Sequence, residues 1–162
     1  MIAFDGNFSA QDLAATLSGL GRDVFFVQVG AMDGVWLDPI HEFVTSLAWR
    51  GILLEPLPDM FARLKANYAG CEGLTFIDAA ITDFDGTIEM TRIDPAAVEQ
   101  GALTDIALAI SSMMPDRGML GSDHRTEEFE KILAPHKRTL DVPCFRLQTV
   151  LDRHRVSRST CS

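Results

Sequence analysis

The sequence predicts an α/β fold built on a mostly parallel sheet, and three features carry that prediction. Val24–Gly34 (Val-Phe-Phe-Val-Gln-Val-Gly-Ala-Met-Asp-Gly) opens as an unbroken apolar run and stops abruptly at Gly30. A strand that is apolar on both sides of its pleat must be covered on both faces, which is the habit of a parallel strand. A helical pattern and then a second apolar run, Ile52-Leu53-Leu54, follow it, in the alternation of a βαβ unit. The second run ends in an acid, Glu55, and Asp78 interrupts a third, Leu74–Ile81.

Composition sets the outer bounds. At 162 residues, with 47% hydrophobic and 23% charged side chains, the chain is long enough for one domain with a sizeable core. A net charge of -9 disfavours nucleic acid as the partner, because phosphate binding needs a basic face. No window holds the roughly 18–20 uncharged apolar residues of a membrane span. The N-terminus lacks the basic and apolar regions of a secretory signal, so a cytoplasmic location is expected. Cys71, Cys144 and Cys161 show no CxxC pair or zinc spacing and read as free thiols.

Taken in order, Ser9-Ala-Gln-Asp12 resembles a capping box. Leu13, Thr16, Leu17 and Leu20 recur at helical spacing, which predicts a helix over Ala10–Leu20. After the Gly30 turn, Asp38-Pro39 reads as cap and first residue of a helix reaching Ala48. Ile40, Phe43, Val44 and Leu47 form its apolar stripe, and His41 lies off it, in solvent. Asp33, Asp38 and His41 are three potential metal donors, but such trios arise often by chance and no metal is expected. Glu55 lies 25 positions after Gly30, near the spacing at which a second-strand acid meets a ribose diol. Read alone, Glu55 is a surface residue at a strand end; the order strand, glycine turn, helix, strand, acid favours a binding role.

Pro58–Tyr68 reads as a helix with Phe61, Leu64 and Tyr68 inward. Leu74–Ile81 reads as one continuous strand, and Asp85-Gly86 as the turn of a hairpin that continues it. Asp94-Pro95 suits a helix start, and Ala102–Ile110 is apolar enough for a helix. Ser111–Ser122, with its methionines, has the form of a long substrate loop or lid. Thr126–Leu133 reads as a short helix, Thr139–Phe145 as extended and Leu147–His154 as helical. Residues 155–162 are polar and frayed.

These residues resemble the FkbM-type S-adenosylmethionine-dependent methyltransferases. The resemblance is carried by Phe26–Gly34, Asp38-Pro39, Trp49–Pro56, Phe61–Tyr68 with its Asn-Tyr ending, Phe76–Thr82 and Asp85-Gly86. It is dense over Val24–Gly86 and modest in Val142–Leu151. It implies a Rossmann-like class I methyltransferase three-layer sandwich, with S-adenosyl-L-methionine at the carboxyl ends of the first three strands. Gly30, Ala31 and Asp33 would border its methionine part, Glu55 would hold the ribose hydroxyls, and Asp78 with Ala79 would border adenine. Gln28 stands where many such enzymes have an acid.

The family's next strand, with its Asp-x-Glu-Gly type ending, is not visible. The expectation is therefore a sheet incomplete at its C-terminal half, from a shortened chain, within a single domain over 1–162. Its parts are a cofactor-binding core over 1–91, a variable insertion or lid over 92–138, and a strand and helix over 139–154.

The implied activity is O-methylation of a sugar or natural-product hydroxyl, with a small-molecule or saccharide acceptor. No base can be nominated: Asp38 and His41 qualify by position only, and His124, His136 and His154 read as surface histidines. Two alternatives stand beside it. One is a truncated, non-catalytic fragment or assembly module with at most weak nucleoside binding, with an oligomer or partner chain completing the sheet. The other is a nicotinamide-dinucleotide domain, which wants a fuller glycine pattern than Gly30 and Gly34 provide.

Overall fold

The computed structural model describes residues 10–19, 24–36, 38–104 and 131–154. The chain divides into two compact units, Met1–Thr82 and Asp83–Ser162.

In the first unit, α1 (Ala10–Gly19), β1 (Phe25–Val29), α2 (His41–Leu47), β2 (Arg50–Leu54), α3 (Pro58–Asn67) and β3 (Leu74–Ile77) follow one another. The strands form a parallel sheet in the order β1-β2-β3, so the α/β class and the parallel pairing are as the apolar runs predict. Register pairs Gln28 with Leu53 and Leu53 with Phe76, which places these three side chains on one face. Leu17 of α1, Val44 of α2 and Leu64 of α3 share a core with Phe26, Leu53 and Phe76. Two successive crossovers that advance the sheet in one direction put their helices on the same face, which is why α2 and α3 lie together, and α1, which precedes β1, packs against the same core through Leu17. Leu53 and Leu64 are wholly buried, and each such side chain contributes about 1.5–3 kcal/mol.

Three local readings change. The second helix starts at His41 rather than Pro39, because Asp38 Oδ1 accepts the Ile40 amide at 2.9 Å in a tight turn. His41 is not solvated: its ring centroid lies 5.1 Å from that of Tyr68 and its Nδ1 is buried. The third apolar run is not continuous. It breaks at Asp78-Ala79 into β3 and a three-residue β4 (Ala80–Thr82).

The second unit contains β5 (Gly86–Ile93), α4 (Pro95–Glu99), β6 (Lys137–Arg146) and α5 (Leu147–Arg153). The hairpin expected at Asp85-Gly86 does not form: β5 pairs antiparallel with β6 over Gly86↔Cys144 to Ile93↔Lys137. Asp85 serves another end. Its carboxylate accepts the Arg146 amide at 2.7 Å and the Thr149 hydroxyl at 2.9 Å, capping the first turn of α5. Asp94 caps α4 as its sequence suggests, accepting the Ala96 amide at 3.0 Å. The division at Thr82/Asp83 differs from the expected boundary at 91/92, which falls inside β5, and β6 begins at Lys137, within the expected insertion. The Ser9 cap, the Ser111–Ser122 loop, Cys161, the 155–162 tail and most of the Ala102–Ile110 and Thr126–Leu133 helices lie outside the described residues.

Candidate functional site

Val29, Leu54 and Ile77 are neighbours across the three parallel strands. The residues that follow them, Gly30, Glu55 and Asp78, therefore emerge side by side at the carboxyl edge of the sheet. In open α/β sheets this edge is where ligands bind.

The turn after β1 has an unusual backbone. Gly30, Met32 and Gly34 adopt positive φ values of 72°, 50° and 74°. For Met32, a residue with a Cβ, that conformation is uncommon and must be held by its surroundings. A Cβ on Gly30 would meet nothing within 4 Å, so the turn is open there. A Cβ on Gly34 would stand 2.5 Å from Tyr68 Cε2. The two glycines thus serve different needs, the first an open backbone and the second close packing.

The turn is held from two directions. Its upstream half is tied to β2: Gly30 and Ala31 amides both donate to the Leu54 carbonyl, at 2.9 and 3.0 Å. The Met32 amide donates to Glu55 Oε2 at 2.9 Å, and Glu55 Oε1 accepts the Leu57 amide at 2.9 Å. Glu55 is 3% exposed, so the reading of it as a surface glutamate does not hold. Its buried charge is met by backbone N–H donors, the kind of partner a desolvated carboxylate requires.

The downstream half is tied to α3. The Asn67 amide side chain donates to the Asp33 carbonyl at 2.8 Å, and the Tyr68 hydroxyl donates to Asp38 Oδ2 at 3.1 Å. Asp33 Oδ1 accepts the Val35 and Trp36 amides at 3.0 and 2.8 Å. Tyr68 is buried; that burial first, and the adjacent Asp38 carboxylate second, push its phenol far above the ordinary range. Sequence reasoning placed Tyr68 on the inward face of the helix and noted Asn67 only in its Asn-Tyr ending, and tied neither to the turn. No local signal in the sequence marks that grip.

Between Gly30 and Trp36 every amide has an acceptor except that of Asp33, which donates to no group among the described residues. Gln28 Oε1 and His41 Nδ1 are buried without a hydrogen-bond partner there. Asp78 is exposed at the tip of β3, and Ala79 beside it is buried. Ala31 is buried beneath the turn. All six residues expected at the cofactor, Gly30, Ala31, Asp33, Glu55, Asp78 and Ala79, thus lie on or beside one sheet edge.

Asp38, proposed by position as a base, is engaged with Tyr68 and Ile40. His136 and His154 belong to the second unit, and His124 lies outside the described residues. No group of three metal-ligating side chains occurs among the described residues, and no described helix is long and apolar enough to cross a membrane.

No family model, curated protein or solved structure matches the chain.

Proposed function

We propose that the first unit binds a nucleoside-containing cofactor of the S-adenosyl-L-methionine type, and that the protein is a methyltransferase acting on a hydroxyl. The observation that carries this reading is the register of Val29, Leu54 and Ile77, which brings Gly30, Glu55 and Asp78 to one edge. The residues present suit such a ligand. Gly30 leaves open space for close backbone approach, and the Asp33 amide is a donor for a carboxylate. Gln28 Oε1 is an acceptor awaiting a donor, and Asp78 offers an exposed carboxylate to ribose or adenine donors. Glu55 stands at the same edge, where its carboxylate oxygens accept the Met32 and Leu57 amides at 2.9 Å and fix the backbone on either side of the place a ribose would occupy.

When bound, the cofactor supplies an electrophilic sulfonium methyl. The chain's part is to hold it at the turn and align an acceptor hydroxyl, and positioning of that kind accounts for much of the acceleration in a transfer reaction.

Calorimetric titration with S-adenosylhomocysteine tests the reading. Saturable binding that weakens at least tenfold in Asp78→Ala supports it. Absence of heat from S-adenosylhomocysteine alongside binding of a nicotinamide dinucleotide would replace it with the dinucleotide reading.

One observation favours a second reading, in which a partner chain or further strand completes the sheet. β1 lies at the edge of the described sheet, with Phe25 46% and Val29 55% exposed. A parallel sheet is normally covered on its faces and protected at its edges. On this reading the unit is an assembly module, and light scattering would show a stable oligomer or capture by a partner that Val29→Lys abolishes.

A further inference from the structure

The Asp33 amide is bracketed by two restraints from different elements. The preceding Met32 amide is pinned by Glu55 at 2.9 Å, and the following Asp33 carbonyl by Asn67 at 2.8 Å. The Gly34 amide also donates to the Ala31 carbonyl at 2.9 Å, closing a four-residue turn whose central peptide carries the Asp33 N–H, and these bonds together restrict the directions that N–H can take. Tyr68, next to Asn67, adds the bond to Asp38 and packs its ring where a Cβ on Gly34 would stand. The carboxyl end of α3 therefore sets the shape of a turn far upstream of it, through bonds between residues 34 and 30 positions apart. The strained φ of +50° at Met32 needs such support from outside the turn.

We infer that Asn67 and Tyr68 are positioning residues that aim the free Asp33 amide at a carboxylate of the bound ligand. The inference rests on the cofactor reading above and adds to it where the ligand's anionic end is received and which side chains prepare that place. Neither residue is asked to touch the ligand. A pre-aimed amide binds a carboxylate without paying to order the loop, so loosening the restraint weakens binding of that end alone.

The test compares two probes, S-adenosylhomocysteine, which has the carboxylate, and adenosine, which lacks it. In Asn67→Asp the donor becomes an acceptor facing the Asp33 carbonyl, at an exposed site where the fold is not at stake. The expected result is a loss of about five- to tenfold in affinity for S-adenosylhomocysteine, with adenosine changed less than about twofold. Tyr68→Phe follows the same pattern, with faster hydrogen exchange of the Val35 and Trp36 amides. Asn67→Gln, which keeps an amide donor, recovers part of the affinity. Unchanged S-adenosylhomocysteine affinity in Asn67→Asp, or an equal loss for both probes, overturns the inference and leaves the cofactor reading standing. Failure of the wild-type protein to bind either probe overturns both.

Discussion

The Met32 amide and the Glu55 carboxylate, 23 residues apart, meet at 2.9 Å beneath the turn that follows β1. Glu55 thereby ties the ends of two neighbouring strands together from a buried position. In Glu55→Gln one oxygen becomes an NH2 group that must face a backbone N–H, leaving a buried donor unmatched. The expected loss is about 1–3 kcal/mol in stability by urea denaturation. A variant as stable as the wild type would show that the carboxylate is not needed to hold the turn.

The two glycines of the turn separate in their response to alanine. Gly30→Ala meets open space and bears only the left-handed backbone cost, about 1–2 kcal/mol. Gly34→Ala bears that cost and also drives a methyl into Tyr68 and Leu64, adding about 1–3 kcal/mol. Thermal unfolding should rank Gly34→Ala clearly below Gly30→Ala. Ligand affinity should follow the opposite emphasis, because the open side of the turn is at Gly30.

Tyr68 is the single tyrosine of the chain, so its phenol can be titrated by phenolate absorbance without interference. Burial, then the Asp38 charge and hydrogen bond, raise its pKa above the unfolded value of about 10. A raised folded pKa means that this contribution to stability is intact below about pH 10 and declines as pH rises beyond it. The native protein should show no phenolate step near pH 10, and the urea-unfolded protein should show one. A native step near 10 contradicts the buried Tyr68–Asp38 bond.

Asp85 gives the opposite pH dependence in the second unit. The Arg146 amide first, and the Thr149 hydroxyl next, hold its carboxyl below the ordinary 3.8. Its contribution is therefore present above about pH 3.8 and is lost as pH falls through the lower folded value. Asp85→Asn should flatten the acid limb of the stability profile, and carboxyl chemical shifts should place the wild-type titration below 3.8. An unshifted titration would remove the cap from the account of how α5 begins.

Glu89 and Asp141 stand directly opposite each other in the β5–β6 register, both exposed. Like charges in that relation oppose pairing. Glu89→Lys turns the pair attractive and should stabilise the protein by about 0.2–1 kcal/mol, less at high salt. No gain at low ionic strength would mean that the two side chains splay apart in solution.

Element type was legible wherever burial repeats with a local period. The apolar runs ending at Gly30 and Glu55 marked β1 and β2, and Pro58 with Phe61 and Leu64 marked α3. Boundaries slipped where a polar side chain chose a turn over a helix or strand. Asp38 closed a turn on Ile40 and delayed α2, and the third run broke after Ile77 at Asp78-Ala79. The Asp-Gly signal at residue 85 was misleading because the aspartate found a better use 61 residues away.

The amino-acid order by itself determined that the strands are parallel and apolar, and that a glycine and two acids follow their ends. Apolarity and strand ends are read from residues close together in the chain, and the parallel direction from the helix-length connection between one run and the next. Only the tertiary structure decided that Glu55 turns inward to the Met32 amide, that Asn67 and Tyr68 grip the turn, and that β5 pairs with β6. Each of these is a choice among donors and acceptors far apart in sequence. Such choices are settled by which groups are left buried together once the sheet and helices have packed.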